Sequence, residues 1–381
     1  SLSEFAALWL RNNGGERRKI PKALLETIGP LLPQEAQSVM AAAQASDEKD
    51  WQEDLFVQAR RLADNKRKLE TKFTKTAEKE VGIATRKVDQ YKSWLQDLQR
   101  QQLEDRDWRF FPQWWVPVVV REGNGYAIKP MRYQLRKPGL PASSDWVGSG
   151  PARRLSGTYN ARRDNLERYW KNQFGHTHGL MVVSSFYENV DGEDGKSRRI
   201  KFTPRTGEPM LVACLWANWQ DPTGEEPDML SFAAVTDDPE PEVAAAGHDR
   251  TIINLRPENV ERWLNPDPAN LGELYEIFDD KRHPYYEHRA AARRRLLSTS
   301  PGGRSSTSSA SPPRSSSTNW RCADWSSVLM AHGLSSWTTT CLLQAAGRRI
   351  LGGTARPTRL AGPVVRCGPG DTGTGLWSRR E

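Results

Sequence analysis

Cysteine is scarce in this chain, with four in 381 residues and none before Cys214. No two are spaced as C-x-x-C, so neither a zinc site nor a redox couple is indicated, and no cofactor is expected. Cys214 lies in the apolar run Leu211–Trp216 and is read as core. Cys322, Cys341 and Cys367 fall in an unusual C-terminal stretch. Long apolar runs are missing too. None approaches the roughly 18 residues that announce a transmembrane helix. The opening Ser1-Leu2-Ser3-Glu4 lacks the basic start of a secretory signal. These absences point to a soluble intracellular protein with no membrane partner.

Lysine vanishes after residue 288. Residues 289–381 hold 14 Arg, no Lys and three acids, a net charge of +11, whereas residues 1–288 sum to −3 against a whole-chain charge of +8. The basic balance is therefore concentrated in a Ser-, Arg-, Gly- and Pro-rich tail. That tail is expected to be disordered, or to be sequence not under selection for folding. DNA affinity in the rest of the chain has to come from a local patch.

What is present divides into segments. Residues 1–107 read as helical. Phe5, Leu8, Leu24, Leu25, Ile28, Leu31 and Leu32 recur over 3–45, broken at Gly14-Gly15 and Pro30. Over 47–106, Leu55, Leu62 and Leu69 are seven apart, and Ala77, Val81, Ala84, Val88, Tyr91, Leu95 and Leu98 follow in steps of four and three. That is a coiled-coil-like seam amid heavy charge, with Gly82 as a candidate break. It suits a solvated helical hairpin on the body, or an arm for a partner or DNA. From 108 the period changes to that of strands: 114–120, 180–183, 209–216, 229–235 and 251–255. A turn is expected at 123–125 and a hairpin tip at 191–196. Helices are expected at 257–264, with Pro in the first turn, and around 271–278. The whole predicts an α+β protein. It has a mixed, partly barrel-like β core over 108–288, a long helical N-terminal region, and the tail 289–381.

Three polar motifs sit on that β core: Tyr159-Asn160-Ala161-Arg162, Ser185-Phe186-Tyr187-Glu188 and Gly247-His248-Asp249-Arg250. An amide, a carboxylate and an imidazole, each beside a strand, are the inventory of an acid/base site. A carboxylate beside aromatics should have a raised pKa. Each also has an ordinary reading: a strand-end Glu, a loop His bonded to backbone, a turn Asn. Met131-Arg132-Tyr133 offers a cation and an aromatic to a nucleotide, or ordinary packing. His176 and His178 have a spacing that can bind metal, but no third ligand accompanies them.

The order Val-Pro-Val, Met-Arg-aromatic, Asn-Ala-Arg, Phe-Tyr-Glu, Gly-His-Asp-Arg resembles the SOS-response-associated peptidase family, the abasic-site-processing proteins, over residues 108–288. The helical segment before it resembles a larger bacterial form. The resemblance implies a bacterial, cytoplasmic, monomeric protein acting at the nucleoid. It implies binding to single-stranded DNA and a covalent DNA–protein crosslink at abasic sites, with peptidase (hydrolase) and lyase-like chemistry. The family's nucleophile is an N-terminal cysteine, freed by self-processing. By the same resemblance Asn160 positions that terminus, Glu188 moves protons, and His248 stabilises the opened sugar or a phosphate. Arg132, Tyr133, Arg162 and Arg250 meet the DNA. Several positions depart from the family pattern. Ser185 stands where Gly is usual, Asn189 and Tyr133 where Trp is usual, and Arg250-Thr251-Ile252 replaces Arg-Met-Pro. No cysteine opens the chain, and residues 2–9 read as a helix, so an N-terminal piece carrying the nucleophile is expected upstream. The alternative from another class is a non-catalytic single-stranded-DNA-binding module.

Overall fold

The computed structural model describes residues 2–10, 19–191, 196–290 and 319–322. Four helices come first: α1 (Leu2–Leu10), α2 (Lys22–Ile28), α3 (Gln34–Thr71) and α4 (Lys75–Gln99). Helix α3 runs unbroken through residues 45–47, and the hairpin turn falls at 72–74 rather than at Gly82, which lies inside α4. The physical reason is a cap. The Thr74 hydroxyl accepts from the Ala77 amide at 3.2 Å, satisfying one of the free donors at the start of α4. Glycine inside a helix costs only about 1 kcal/mol, too little to break a well-paired one. Ala77, Ala84 and Val88 are buried, and Trp51 meets Trp94 at 5.0 Å.

The body follows: β1 (Arg109–Phe110), β2 (Trp115–Glu122), β3 (Gly125–Tyr133), β4 (Trp146–Val147), β5 (Arg154–Leu155), β6 (Asn160–Arg162), β7 (His178–Asp191), β8 (Ser197–Pro204), β9 (Met210–Trp219) and β10 (Met229–Asp237). Then come α5 (Pro241–Ala245), β11 (Thr251–Ile252), α6 (Val260–Leu264), α7 (Leu271–Asp279), β12 (Tyr286–Ala290) and β13 (Asn319–Cys322). Strands β2, β3, β10, β9 and β7 pair in that order, and β7 returns to β2, closing a five-stranded barrel. The expected hairpin after β7 is present as the β7–β8 pair, with residues 192–195 outside the described residues. Residues 291–318 and 323–381 of the tail also lie outside them. Within the tail, Asn319–Cys322 is a strand between β1 and β7.

The barrel strands are apolar at consecutive positions because both faces are covered. Val116, Val118, Val120, Met131, Met181, Val183, Val212, Cys214 and Phe232 fill the interior. Their neighbours Val119, Leu180, Val182, Leu211, Ala213 and Val235 face outward under Trp263, Leu264, Ile277 and Phe278 of α6 and α7. One end of the barrel is stoppered. Phe5, Leu24 and Ile28 of α1 and α2 pack on Trp115, Trp219 and Met229, all residues at that end of their strands. The other end is left to the three polar motifs.

Candidate functional site

Glu188 reaches the barrel mouth through an irregularity in β7. Along a regular strand even-numbered residues would face outward with Leu180 and Val182. The pairing with β13 shifts, however: Cys322 faces Val183 while Arg321 faces Ser185, so β7 carries one extra residue there. Such a bulge rotates the strand. Beyond it Phe186 joins the interior cluster, and Glu188, two residues on, shares its side. Glu188 is 3% exposed.

His248 is set opposite by the turn that ends α5. Gly247 has φ +91°, a conformation that side-chain-bearing residues rarely adopt, and its backbone passes the Val190 side chain of β7. The His248 amide donates to the Val243 carbonyl at 3.1 Å, and Nδ1 lies 3.0 Å from the Arg250 carbonyl. With Nδ1 donating there, Nε2 lies 3.1 Å from Oε2 of Glu188. The approach is oblique to an ideal N–H···O line, so the contact is first of all an ion pair between buried groups. Burial favours the neutral ring, but the nearby carboxylate of Glu188 outweighs it, and the His248 pKa is raised.

Asn160 opens β6, which runs parallel to β10 with Asn160 beside Ala234. It is buried, and its Oδ1 accepts from the Tyr133 hydroxyl at 3.4 Å. Tyr133 is itself fully buried and stacked on Phe232 at 5.3 Å. It therefore supports Asn160 from within the barrel and offers no exposed face to a base. Tyr159, the first residue of the same motif, sits at the site as well. Burial first, then the charge of Glu188, raises its pKa, against Arg250 and Arg154. Adjacent residues of a strand would point apart. Here the Asn160 amide donates to the Gly157 carbonyl at 3.2 Å, a turn that brings both side chains to the mouth. That turn is not legible from residue types alone, although Gly157 hints at it.

The arginines separate into two groups. Arg162 and Arg250 lie at the mouth and share Asp249. Arg250 holds it through Nε and Nη2, both at 3.0 Å, and Arg162 approaches it at 4.0 Å while pairing Asp164 at 3.2 Å. Arg162 is about half exposed and, with Arg163, Asp237 and Tyr275, lines an open recess of about 440 Å³. Arg132, expected on the DNA backbone, is placed elsewhere. Its guanidinium is buried and holds Asp145 through two bonds of 2.6 and 2.9 Å. Arg136 holds the same carboxylate at 2.7 Å and stacks on Trp219 at 4.2 Å. Burial raises the Asp145 pKa, but these two cations bring it below the usual value.

His178 is spoken for as well. It accepts from the Gly175 amide at 2.9 Å and donates to the Trp263 carbonyl at 2.8 Å, with its ring 3.8 Å from that indole. Burial lowers its pKa to about 3. No group of three His, Cys, Asp or Glu suited to a metal ion occurs among the described residues. Cys214 is fully buried in the barrel, and burial raises its thiol pKa. No described helix is long and apolar enough to cross a membrane.

The model of the SOS response associated peptidase (SRAP) family matches residues 70–292. The chain belongs to that family, a peptidase-like DNA-repair family of the DNA-damage response. Two solved structures are similar. A Bordetella bronchiseptica protein is 19% identical, covering 48% of this chain and 87% of its own, with a TM-score of 0.38. A Bacteroides thetaiotaomicron protein is 15% identical, covering 47% and 74%, with a TM-score of 0.35. No curated protein matches.

Proposed function

We propose that this protein captures the ring-opened aldehyde of an abasic site in single-stranded DNA as a covalent crosslink, and shares the autopeptidase character of its family. The observation that carries the reading is the buried pair of Glu188 and His248, 3.1 Å apart, beside Asn160 and two mouth arginines. Crosslinking of this kind needs an amine to add to the aldehyde carbon and water to leave as the imine forms. A thiol then closes a five-membered ring on the imine carbon. Each step moves a proton, which a positioned carboxylate can relay. Glu188 is that relay. His248, whose cationic form Glu188 favours, stabilises the sugar oxygen released on ring opening or the adjacent phosphate. Asn160, held by Tyr133, positions the amine. The amine and thiol belong to an N-terminal cysteine of the family type. Arg162 and Arg250 hold the DNA backbone, and Arg132, paired with Asp145 toward the stoppered end of the barrel, serves the fold.

The test is a denaturing-gel shift with abasic single-stranded DNA, using a form of the chain that presents an N-terminal cysteine. The expected result is a band that survives denaturation, with Glu188→Gln slowing its formation about 100-fold or more. A chain that binds the DNA but yields no such band would leave a non-covalent binding module and defeat the crosslinking reading.

A further inference from the structure

The α3–α4 arm is electrically divided. Residues 34–59, toward its base, hold six acids and one Lys, whereas residues 60–79, around its tip, hold eight Lys or Arg and three acids. Of those eight cations, only Arg61 and Arg67 hold a carboxylate among the described residues, Glu80 and Asp64. A solvated hairpin is best stabilised by mixed charges at i,i+4, and the Lys75/Lys79 pair in the first turn of α4 does the opposite. The tip lies 20 residues past the Trp51–Trp94 contact, about 30 Å along the helix. At its summit the three-residue connection 72–74 presents Phe73, 65% exposed, between extended Lys72 and Thr74. Beside it Arg67, Lys68, Thr71, Lys72 and Thr74 line a recess of about 460 Å³.

Clustered cations, hydroxyls and one protruding aromatic are what a single nucleic-acid strand requires: phosphates on the lysines and a base on the ring. We infer that the tip of this arm is a second DNA contact, in which Lys68, Lys72 and Lys75 hold the phosphates of single-stranded DNA and Phe73 stacks on an unpaired base. The occupant is a single strand because a paired base offers no free face to Phe73. The choice of DNA as the polyanion rests on the function proposed above, but the contact itself needs neither lesion nor crosslink.

The test is fluorescence anisotropy of a labelled, lesion-free oligothymidylate over a range of salt. The full chain is compared with K68E/K72E/K75E, with Phe73→Ala, and with R162E/R250E at the barrel mouth. Circular dichroism verifies that helicity is kept. The triple variant should bind at least about tenfold more weakly, with the slope of log K against log salt reduced by about 2. Phe73→Ala should weaken binding about fivefold or more with the slope unchanged. If the tip variants bind like the parent while R162E/R250E does not, the tip contact is overturned and the mouth reading stands. If the parent itself fails to bind, both fall.

Discussion

Nε2 of His248 and Oε2 of Glu188 lie 3.1 Å apart with both side chains almost completely buried. A buried imidazole alone would stay neutral, and this one is instead pulled toward its cation by Glu188, so each group is unfavourable without the other. Glu188→Gln should lower the His248 pKa, as followed by NMR of the imidazole protons. The linkage has a definite sign. A pKa raised above the ordinary 6.5 means that the folded state holds the proton more tightly. The pair's contribution to stability is therefore fully present below about pH 6.5 and fades as pH rises through the raised pKa. Urea denaturation of wild type and Glu188→Gln should show a gap that narrows on that alkaline side. A gap that widened instead would mean that Glu188 does not act on His248.

Tyr133→Phe removes one hydroxyl from the barrel interior and keeps the ring stack on Phe232. Its effect should be disproportionate. Stability falls by only about 1 kcal/mol, the ordinary worth of one hydrogen bond. Asn160 loses the donor that fixes its amide, so crosslink formation slows well beyond what that stability loss explains. Parallel denaturation and crosslinking kinetics decide it, and equal crosslinking rates would remove Tyr133 from the positioning of Asn160.

Strands β2, β9 and β10 were legible because both of their faces are buried, giving uninterrupted apolar runs such as Leu211–Trp216. Strand β3 and strand β8 were not, since Gly125–Tyr133 and Ser197–Pro204 are interrupted by Lys, Arg and Pro and are buried over only part of their length. The polar motifs named Asn160, Glu188 and His248, but their convergence depends on features that no local pattern carries. These are the extra residue in β7, the positive φ at Gly247 and the turn at Gly157. Arg132 shows the limit most clearly. Next to an aromatic it looks like a DNA contact, and only the long-range approach of Asp145 reveals a buried ion pair.

That ion pair makes a prediction of its own. Asp145 is the one carboxylate among the described residues bonded to both Arg132 and Arg136, so Asp145→Ala leaves the buried Arg132 guanidinium without its counter-ion and Arg136 with Glu226 alone. The cost should be about 3–5 kcal/mol, read from urea midpoints. Arg132→Met should destabilise strongly as well, while leaving the salt dependence of DNA binding unchanged, because its charge is already neutralised inside the fold. A clear fall in salt slope would instead put Arg132 on the DNA.

His178 and His248 should titrate in opposite senses, although both are buried at the barrel. His178 has no carboxylate partner; its nitrogens serve the Gly175 amide and the Trp263 carbonyl, so burial dominates and its pKa is about 3. A depressed pKa means that the unfolded chain binds the proton more readily. His178 therefore contributes stability above about pH 6.5 that is lost as pH falls toward 3. In NMR titrations the His178 ring should remain neutral down to about pH 4, where His248 is already charged. Acid unfolding should begin with protonation of His178, because the charged ring can no longer accept from Gly175 and is stacked on Trp263 away from any anion. A His178 signal that titrated near 6.5 in the folded protein would show that the Gly175 turn opens, and with it the packing of α6 on the barrel.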